Sequence, residues 1–362
     1  MGRRLVAFDR TLASLTVALD SIGEAGVRYP QYGTLALFPY LGDSTLFLDN
    51  DSKVFLVFSP EGRFARTMAH VKTSDLSYLN QFNSVAAGVD SRGRLIYQGG
   101  HPRPLPQPSS KAMGFPADPW TRDTLPIVRA YFETRSIDTL ASIVTPAAVR
   151  PVIKIGENGR PAGSVRLNPA LSAADGWAVL SDGTLAVIRA QDYHIDWVYT
   201  DGTHRSTPKM PFDWRRLTDE DKLAKIDSVK RRIDSLNASG HPYQRIFLSS
   251  VDAAGAGRSD TIIPVVSFAP LSEMADYVSP IRSGSVKPDM DGNLWILPTT
   301  SLQAKGGLLY DVINKSGEIF QRVQLPKDCD IAGFGRGGTI YLMRMIGPDS
   351  YSIERTKVTG GT

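Results

Sequence analysis

The run Arg189-Ala190-Gln191-Asp192-Tyr193-His194 gathers a guanidinium, a carboxylate, a phenol and an imidazole within one short stretch. Arg189 suits an anionic ligand. Asp192 and His194, two residues apart, suit an acid/base pair, because histidine titrates near neutrality. The run follows a strongly β-prone segment, where a chain leaves its sheet and where binding residues gather on loops. The plainer alternative is a structural salt bridge between Arg189 and Asp192, with His194 as a half-buried strand residue. Tyr193 and the more distant Lys287 complete the candidate ligand-binding set. A second candidate is Asp289-Met290-Asp291-Gly292-Asn293, whose alternating oxygen donors suit calcium. An EF-hand loop needs further ligands where Leu294-Trp295-Ile296 stands, so a hairpin turn whose Asp bonds its own backbone is the simpler reading.

Other chemistry is missing from the sequence. There is no Gly-x-Ser-x-Gly elbow, no His-Glu-x-x-His, no paired cysteine motif, no Gly-x-Gly-x-x-Gly and no Walker loop. His70, His101, His204 and His241 stand alone and read as solvated loop or turn residues. Trp177, Trp197, Tyr199 and Trp295 fall at strand positions and suit sheet packing better than a sugar-stacking platform.

The elements that must position these residues repeat. A β-rich run leads to a tight turn with Asp and Gly, then a strongly apolar strand, a second turn and an alternating strand. The clearest copy runs from Gly176 through Asp182-Gly183 to Arg189, then through Ile195–Tyr199 to Asp201-Gly202. Others are centred on Gly42-Asp43, Asp90–Gly93, Asp291-Gly292 and Gly337-Gly338. Asp-Gly turns supply the positive φ that short hairpins need. A repeat of one hairpin pair every blade length predicts a β-propeller of four-stranded sheets. An N-terminal hairpin, Leu5–Phe8 with Leu15–Leu19, reads as the outer half of a sixth blade, with inner strands supplied from the C-terminus. Residues 152–167 leave seven blades open, and a double sandwich is the competing fold.

Two insertions stretch the spacing. Residues 101–126 are proline-rich and predict a long loop. Residues 213–243 hold a helix over 218–237, capped by Thr218 with Asp219, Glu220 and Asp221 in its first turn. Its apolar positions are Leu223, Ile226, Val229, Ile233 and Leu236, and Gly240 and Pro242 end it.

The chain has 362 residues, with 42% hydrophobic and 22% charged, enough for one large domain that folds without disulfides. Cys329 is the sole cysteine. It fits a reducing compartment without excluding another. A net charge of +4 from scattered basic residues points away from nucleic acid. No apolar window is long enough for a transmembrane helix. Asp9 and Arg10 interrupt the apolar stretch behind Arg3-Arg4, so no signal peptide is read, and the chain reads as starting in mid-blade.

The runs Phe8-Asp9-Arg10 with Ile22–Gly26, Phe58–Arg63 and Lys287–Trp295 resemble blades of bacterial six-bladed propellers of the NHL-like and TolB-like groups. The segment Asp175–Asp201 is similar to uncharacterised bacterial propeller proteins. The shared motifs are turns and strands, so the resemblance implies a fold and little chemistry. Members of these groups are often exported, which leaves periplasmic, extracellular and cytoplasmic locations open. Propeller lactonases hold calcium in the central channel with Asn, Asp and Glu from several blades. Here the resemblance would assign that role to Asn83, Asp90, Asp182 and Asp289.

The resulting expectation is a monomeric, single-domain propeller over residues 1–362. It binds a protein or small-molecule ligand on its channel face, without catalysis and without a cofactor. The alternatives are a calcium-dependent, lactonase-like hydrolase and a carbohydrate-binding module. The last requires exposed Trp or Tyr on a blade face.

Overall fold

A computed structural model describes residues 4–20, 37–49, 52–72, 79, 87–99, 123–145, 152–155, 161–168, 171, 173–240, 246–251, 257–263, 265–268, 270–282, 284–347 and 350–358. A hairpin of β1 (Arg4–Phe8) and β2 (Leu15–Asp20) opens the chain. The first blade is β3 (Leu37–Pro39), β4 (Thr45–Asp49), β5 (Val54–Phe58) and β6 (Phe64–Ala69). The second is β7 (Gly88–Val89), β8 (Leu95–Gln98), β9 (Asp123–Tyr131) and β10 (Ser136–Thr145). Strands β11 (Val152–Ile155) and β12 (Pro161–Asn168) follow. The third blade is β13 (Gly176–Val179), β14 (Leu185–Arg189), β15 (His194–Val198) and β16 (His204–Ser206). After helix α1 (Asp219–Ala238) come β17 (Ile246–Val251), β18 (Gly257–Ile262) and β19 (Val265–Phe268). The fourth blade is β20 (Val286–Pro288), β21 (Leu294–Ile296), β22 (Leu309–Ile313) and β23 (Ile319–Gln324). The last has three strands, β24 (Cys329–Phe334), β25 (Thr339–Gly347) and β26 (Ser350–Lys357).

Every blade is an antiparallel meander, and the inner strands β3, β7, β13 and β20 lie side by side in that order. This is a β-propeller arrangement, and it excludes the double sandwich. Alternate residues of one strand serve opposite neighbours. Leu185 and Val187 pack with Ile96 and Ile127 of the second blade, while Ala186 and Ile188 pack with Leu294 and Ile296 of the fourth. Both faces of β14 are therefore buried, which is why it reads as an unbroken apolar run.

The Asp-bearing turns interlock along one face. Asp90 Oδ1 accepts the N–H groups of Arg92 and Arg94 at 2.9 and 3.0 Å. Asp289 Oδ1 does the same for Asp291 and Asn293. Between blades, Lys315 pairs with Asp182, and the carboxylate of Asp291 accepts from Gly337 and Gly338 at 3.0 and 2.8 Å.

Among the described residues there are five blades, where six or seven were expected. Strands β24–β26 form a blade of their own, and among the described residues β1 and β2 pair only with each other. Leu19 packs on Phe47, Leu56 and Phe58 of the first blade, and Tyr341 Oη donates to Arg10 O at 3.3 Å, so the hairpin sits between last and first blades. The 152–167 segment does not form a meander, because β12 pairs parallel with β19. The proline-rich loop ends earlier than expected: residues 123–126 belong to β9, where Pro126 O accepts from Gly99. Residues 101–122 lie outside the described residues.

Helix α1 carries the expected Thr218 cap, with Asp221 closing a capping box. Its buried side is Lys222, Ile226 and Ile233, and Leu223 is 49% exposed. Lys222 takes the place expected for Leu223, and its ammonium donates to Leu271 O at 3.1 Å and Asp276 Oδ1 at 3.0 Å. Among the described residues no helix is long and apolar enough to cross a membrane.

His70 lies between the first two blades, 6% exposed, with its ring 4.3 Å from that of Phe55 and Nε2 without a hydrogen-bond partner. Burial pushes its pKa down to about 4. In the unfolded chain the ring takes a proton near pH 6.5, so between pH 6.5 and 4 protons favour unfolding. Stability is full above pH 6.5, falls toward pH 4 and levels off below. Moving from pH 7 to 4.5 is expected to remove about 2 kcal/mol through this group. Urea unfolding of the His70→Leu variant across that range should lack this component. An unchanged slope would show that other groups cause it.

Candidate functional site

Strand β14 delivers Arg189 at its end, and β15 begins with His194 directly opposite. The turn between them needs Tyr193 at φ +53°, with its N–H donating to Arg189 O at 2.9 Å. This geometry places His194 between two carboxylates. Nδ1 lies 2.8 Å from Asp192 Oδ1, and Nε2 lies 3.1 Å from Asp196 Oδ1. Asp196 is two residues along the same strand and so on the same face.

Arg189 joins the cluster from the other strand. Its Nε donates to Asp196 Oδ2 at 2.7 Å, and its Nη1 donates to Asp175 Oδ2 at 2.9 Å and Ser142 O at 2.7 Å. Burial works against the Arg189 charge, but the bonds to Asp196 and Asp175 raise its pKa above the ordinary value. Burial likewise works against the Asp196 carboxylate, yet the Ser206 hydroxyl and Arg189 hold its pKa below the usual range. Asp175 is the buried anchor. It also accepts the N–H groups of Ala190 and Val144, at 3.1 and 3.0 Å.

The expected salt bridge from Arg189 therefore goes to Asp175 and Asp196 rather than to Asp192. Each of these charged groups already has a protein partner. His194 Nε2 reaches a substrate proton only by giving up Asp196. The network can hold the β14–β15 turn rigid, and it leaves the exposed Lys209, 3.7 Å from Asp192, at its rim.

Tyr193 itself is 1% exposed and packs in the core between the third and fourth blades. Its backbone does more for the surface. Tyr193 O accepts the Met210 N–H at 2.7 Å, which draws residues 207–217 under the turn. A file of rings follows: Tyr193 to Phe212 at 5.7 Å, Phe212 to Trp214 at 5.2 Å, and Trp214 to Tyr277 at 6.3 Å, edge to face. Leu217 N–H donates to Asp276 O and Val278 N–H to Arg215 O, so Arg216 stands opposite Tyr277. Trp214 is 38% and Tyr277 47% exposed. Lys222 of α1 grips Asp276 and so fixes the segment that carries Tyr277.

Other candidates fall elsewhere. Lys287 is half-buried on β20 and reaches Ile331 O of the last blade at 3.4 Å. Asp90, Asp182 and Asp289 are spent on their own turns, with Asp90 also paired to Arg94 and Asp289 to the Trp295 indole. Asn83, His101, Trp120 and His241 lie outside the described residues. Among the described residues no three His, Cys, Asp or Glu side chains gather as a metal site. Trp177, Trp197 and Trp295 are buried packing residues.

No protein-family model matches the chain. A cytidylate kinase of Bartonella henselae is 26% identical over 149 residues, spanning 38% of this chain and 66% of the kinase, just under two thirds of it. Among solved structures, a virginiamycin B lyase of Staphylococcus aureus, bound to quinupristin, is 10% identical. It covers 94% of this chain and 84% of its own, at a TM-score of 0.33. A dipeptidyl peptidase 4 of Porphyromonas gingivalis is 8% identical, covering 91% and 53%, at 0.31. Likenesses this weak assign no activity.

Sequence reasoning missed Asp175, Asp196, Lys209, Trp214 and Tyr277. Asp196 had a signal, the period-two spacing from His194. Trp214 had one too, as an aromatic among Asp213, Arg215 and Arg216 just ahead of the helix cap. Asp175 and Tyr277 had none, because their partners are distant in sequence.

Proposed function

We propose that this propeller is a non-catalytic binding module. Its ligand face is the rim of the third blade formed by Lys209, Phe212, Trp214, Arg216 and Tyr277. The observation that supports this is the division of labour at the rim. Arg189, Asp192, His194 and Asp196 are satisfied by one another, while Trp214 and Tyr277 stay exposed. Locked acid/base groups build a scaffold, and exposed aromatics on a rigid scaffold make a contact surface. The same exposed pair favours a carbohydrate as the ligand class, since a sugar's C–H face stacks on aromatic rings.

Tryptophan fluorescence tests the reading. Titration with neutral and uronic oligosaccharides and with short peptides is expected to protect Trp214 from acrylamide quenching. Trp214→Ala should remove that response and leave the melting temperature within a few degrees. Turnover of a lactone substrate that is lost in His194→Gln would overturn the non-catalytic reading.

A further inference from the structure

Among the described residues four blades end in a fourth strand, and the last ends in its third. Strand β26 therefore presents an edge of eight residues, Ser350–Lys357, that pairs with nothing on its outer side among the described residues. An unpaired edge of this length is a template for another strand. Next to it, Met345, Ile346, Tyr351 and Ile353 are exposed. Register explains three of them: Ile353 lies opposite Met343 and Tyr351 opposite Met345, so they share one face of the sheet.

We infer that β26 is a homodimer interface, on which the β26 of a second copy adds antiparallel about a twofold axis at Ile353. The side-chain pattern of the strand selects both partner and register. Centred on Ile353, the pairing sets Ile353 against itself and Tyr351 against Arg355 of the second copy, twice over. Ser352 then meets Glu354 of the second copy, and Ser350 meets Thr356. Directly opposed residues on one face interact, and a guanidinium beside an aromatic ring is attractive. No like charges oppose. Centring on Glu354 would set two carboxylates face to face, and centring on Ser352 would shorten the overlap. This surface belongs to the last blade and is independent of the rim proposed to bind ligand on the third. It departs from the monomer that the sequence suggests.

The test is the mass of the full chain by light scattering at concentrations up to about 100 µM. The chain is expected at twice its own mass. Ile353→Lys and Ile353→Glu, which place like charges across the twofold axis, should each be monomeric. An equimolar mixture of the two should recover a dimer, because Lys then faces Glu. Ile353 is 44% exposed, so both variants should fold, and their circular dichroism and melting temperature should match those of the parent. Should either be unfolded, Arg355→Ala serves instead and is expected to lower dimer affinity several-fold. A monomeric parent, a dimer that survives both single variants, or a mixture that fails to re-form it overturns the proposal.

Discussion

Replacing Asp175 with alanine is expected to cost about 4 kcal/mol of folding stability, a large part of what a domain usually has. Asp175 is 8% exposed and holds two blades together. Its own N–H donates to Val144 O at 2.8 Å, and its carboxylate takes the Val144 N–H in return. The other oxygen takes the Ala190 N–H at the start of the turn that positions His194. Removal leaves these two N–H groups without an acceptor and strips Arg189 of one carboxylate. Each orphaned donor costs about 1–3 kcal/mol, and a broken buried ion pair leaves its partner uncompensated. Asp175→Asn keeps an acceptor oxygen and should lose about half as much. Urea unfolding of both variants measures this. A loss under about 1 kcal/mol for alanine would mean that the turn is held by β14 and β15 alone. Because Asp175 touches no proposed ligand contact, the folded fraction of Asp175→Asn should still show the Trp214 response.

The local grammar of the chain was readable, and its closure was not. Asp90, Asp182 and Asp289 were recognisable as turn residues because an Asp side chain bonds backbone within four residues, an interaction written in adjacent sequence. The Thr218 cap was readable for the same reason. The number of blades depends on which edges pair over the full length of the chain. A hairpin such as β1–β2 has the same signature whether it completes a blade or stands beside one. The candidate site divides along the same line. Arg189, Asp192 and His194 were visible as a cluster, but their destinations were assigned by proximity in sequence. Arg189 passed over Asp192 for Asp175 and Asp196, because strand pairing and the neighbouring blade put those carboxylates nearer its donors. Leu223 was read as buried from helical spacing. The face kept that spacing at Ile226, Val229, Ile233 and Leu236, but Lys222 replaces Leu223 at its N-terminal end, because its ammonium bonds to Leu271 and Asp276, a pairing about fifty residues distant that periodicity does not encode.

Gly183→Ala separates turn chemistry from blade packing, and the expected loss is about 3 kcal/mol. Gly183 has φ +87°, where an L side chain is strained by about 1–2 kcal/mol. A Cβ there would also lie 2.4 Å from Asp90 Cβ and 3.0 Å from Asp90 Cα. Backbone and a Cβ fixed by the next blade's turn cannot swing aside as a long side chain would, so the blades themselves must part. Overpacking of that kind costs about 1–3 kcal/mol. Gly202→Ala is the matched control. Its φ is +88°, and nothing lies within 4 Å of the added carbon, so it should lose only the strain, about 1 kcal/mol. The difference between the two variants in thermal or urea unfolding isolates the close approach of the second and third blades. Equal losses would mean that both glycines serve only the turn and that the interlocked face adds nothing to ring stability. A larger loss at Gly183 would make the Asp-Gly turns structural on two counts, the hairpin and the seam between blades.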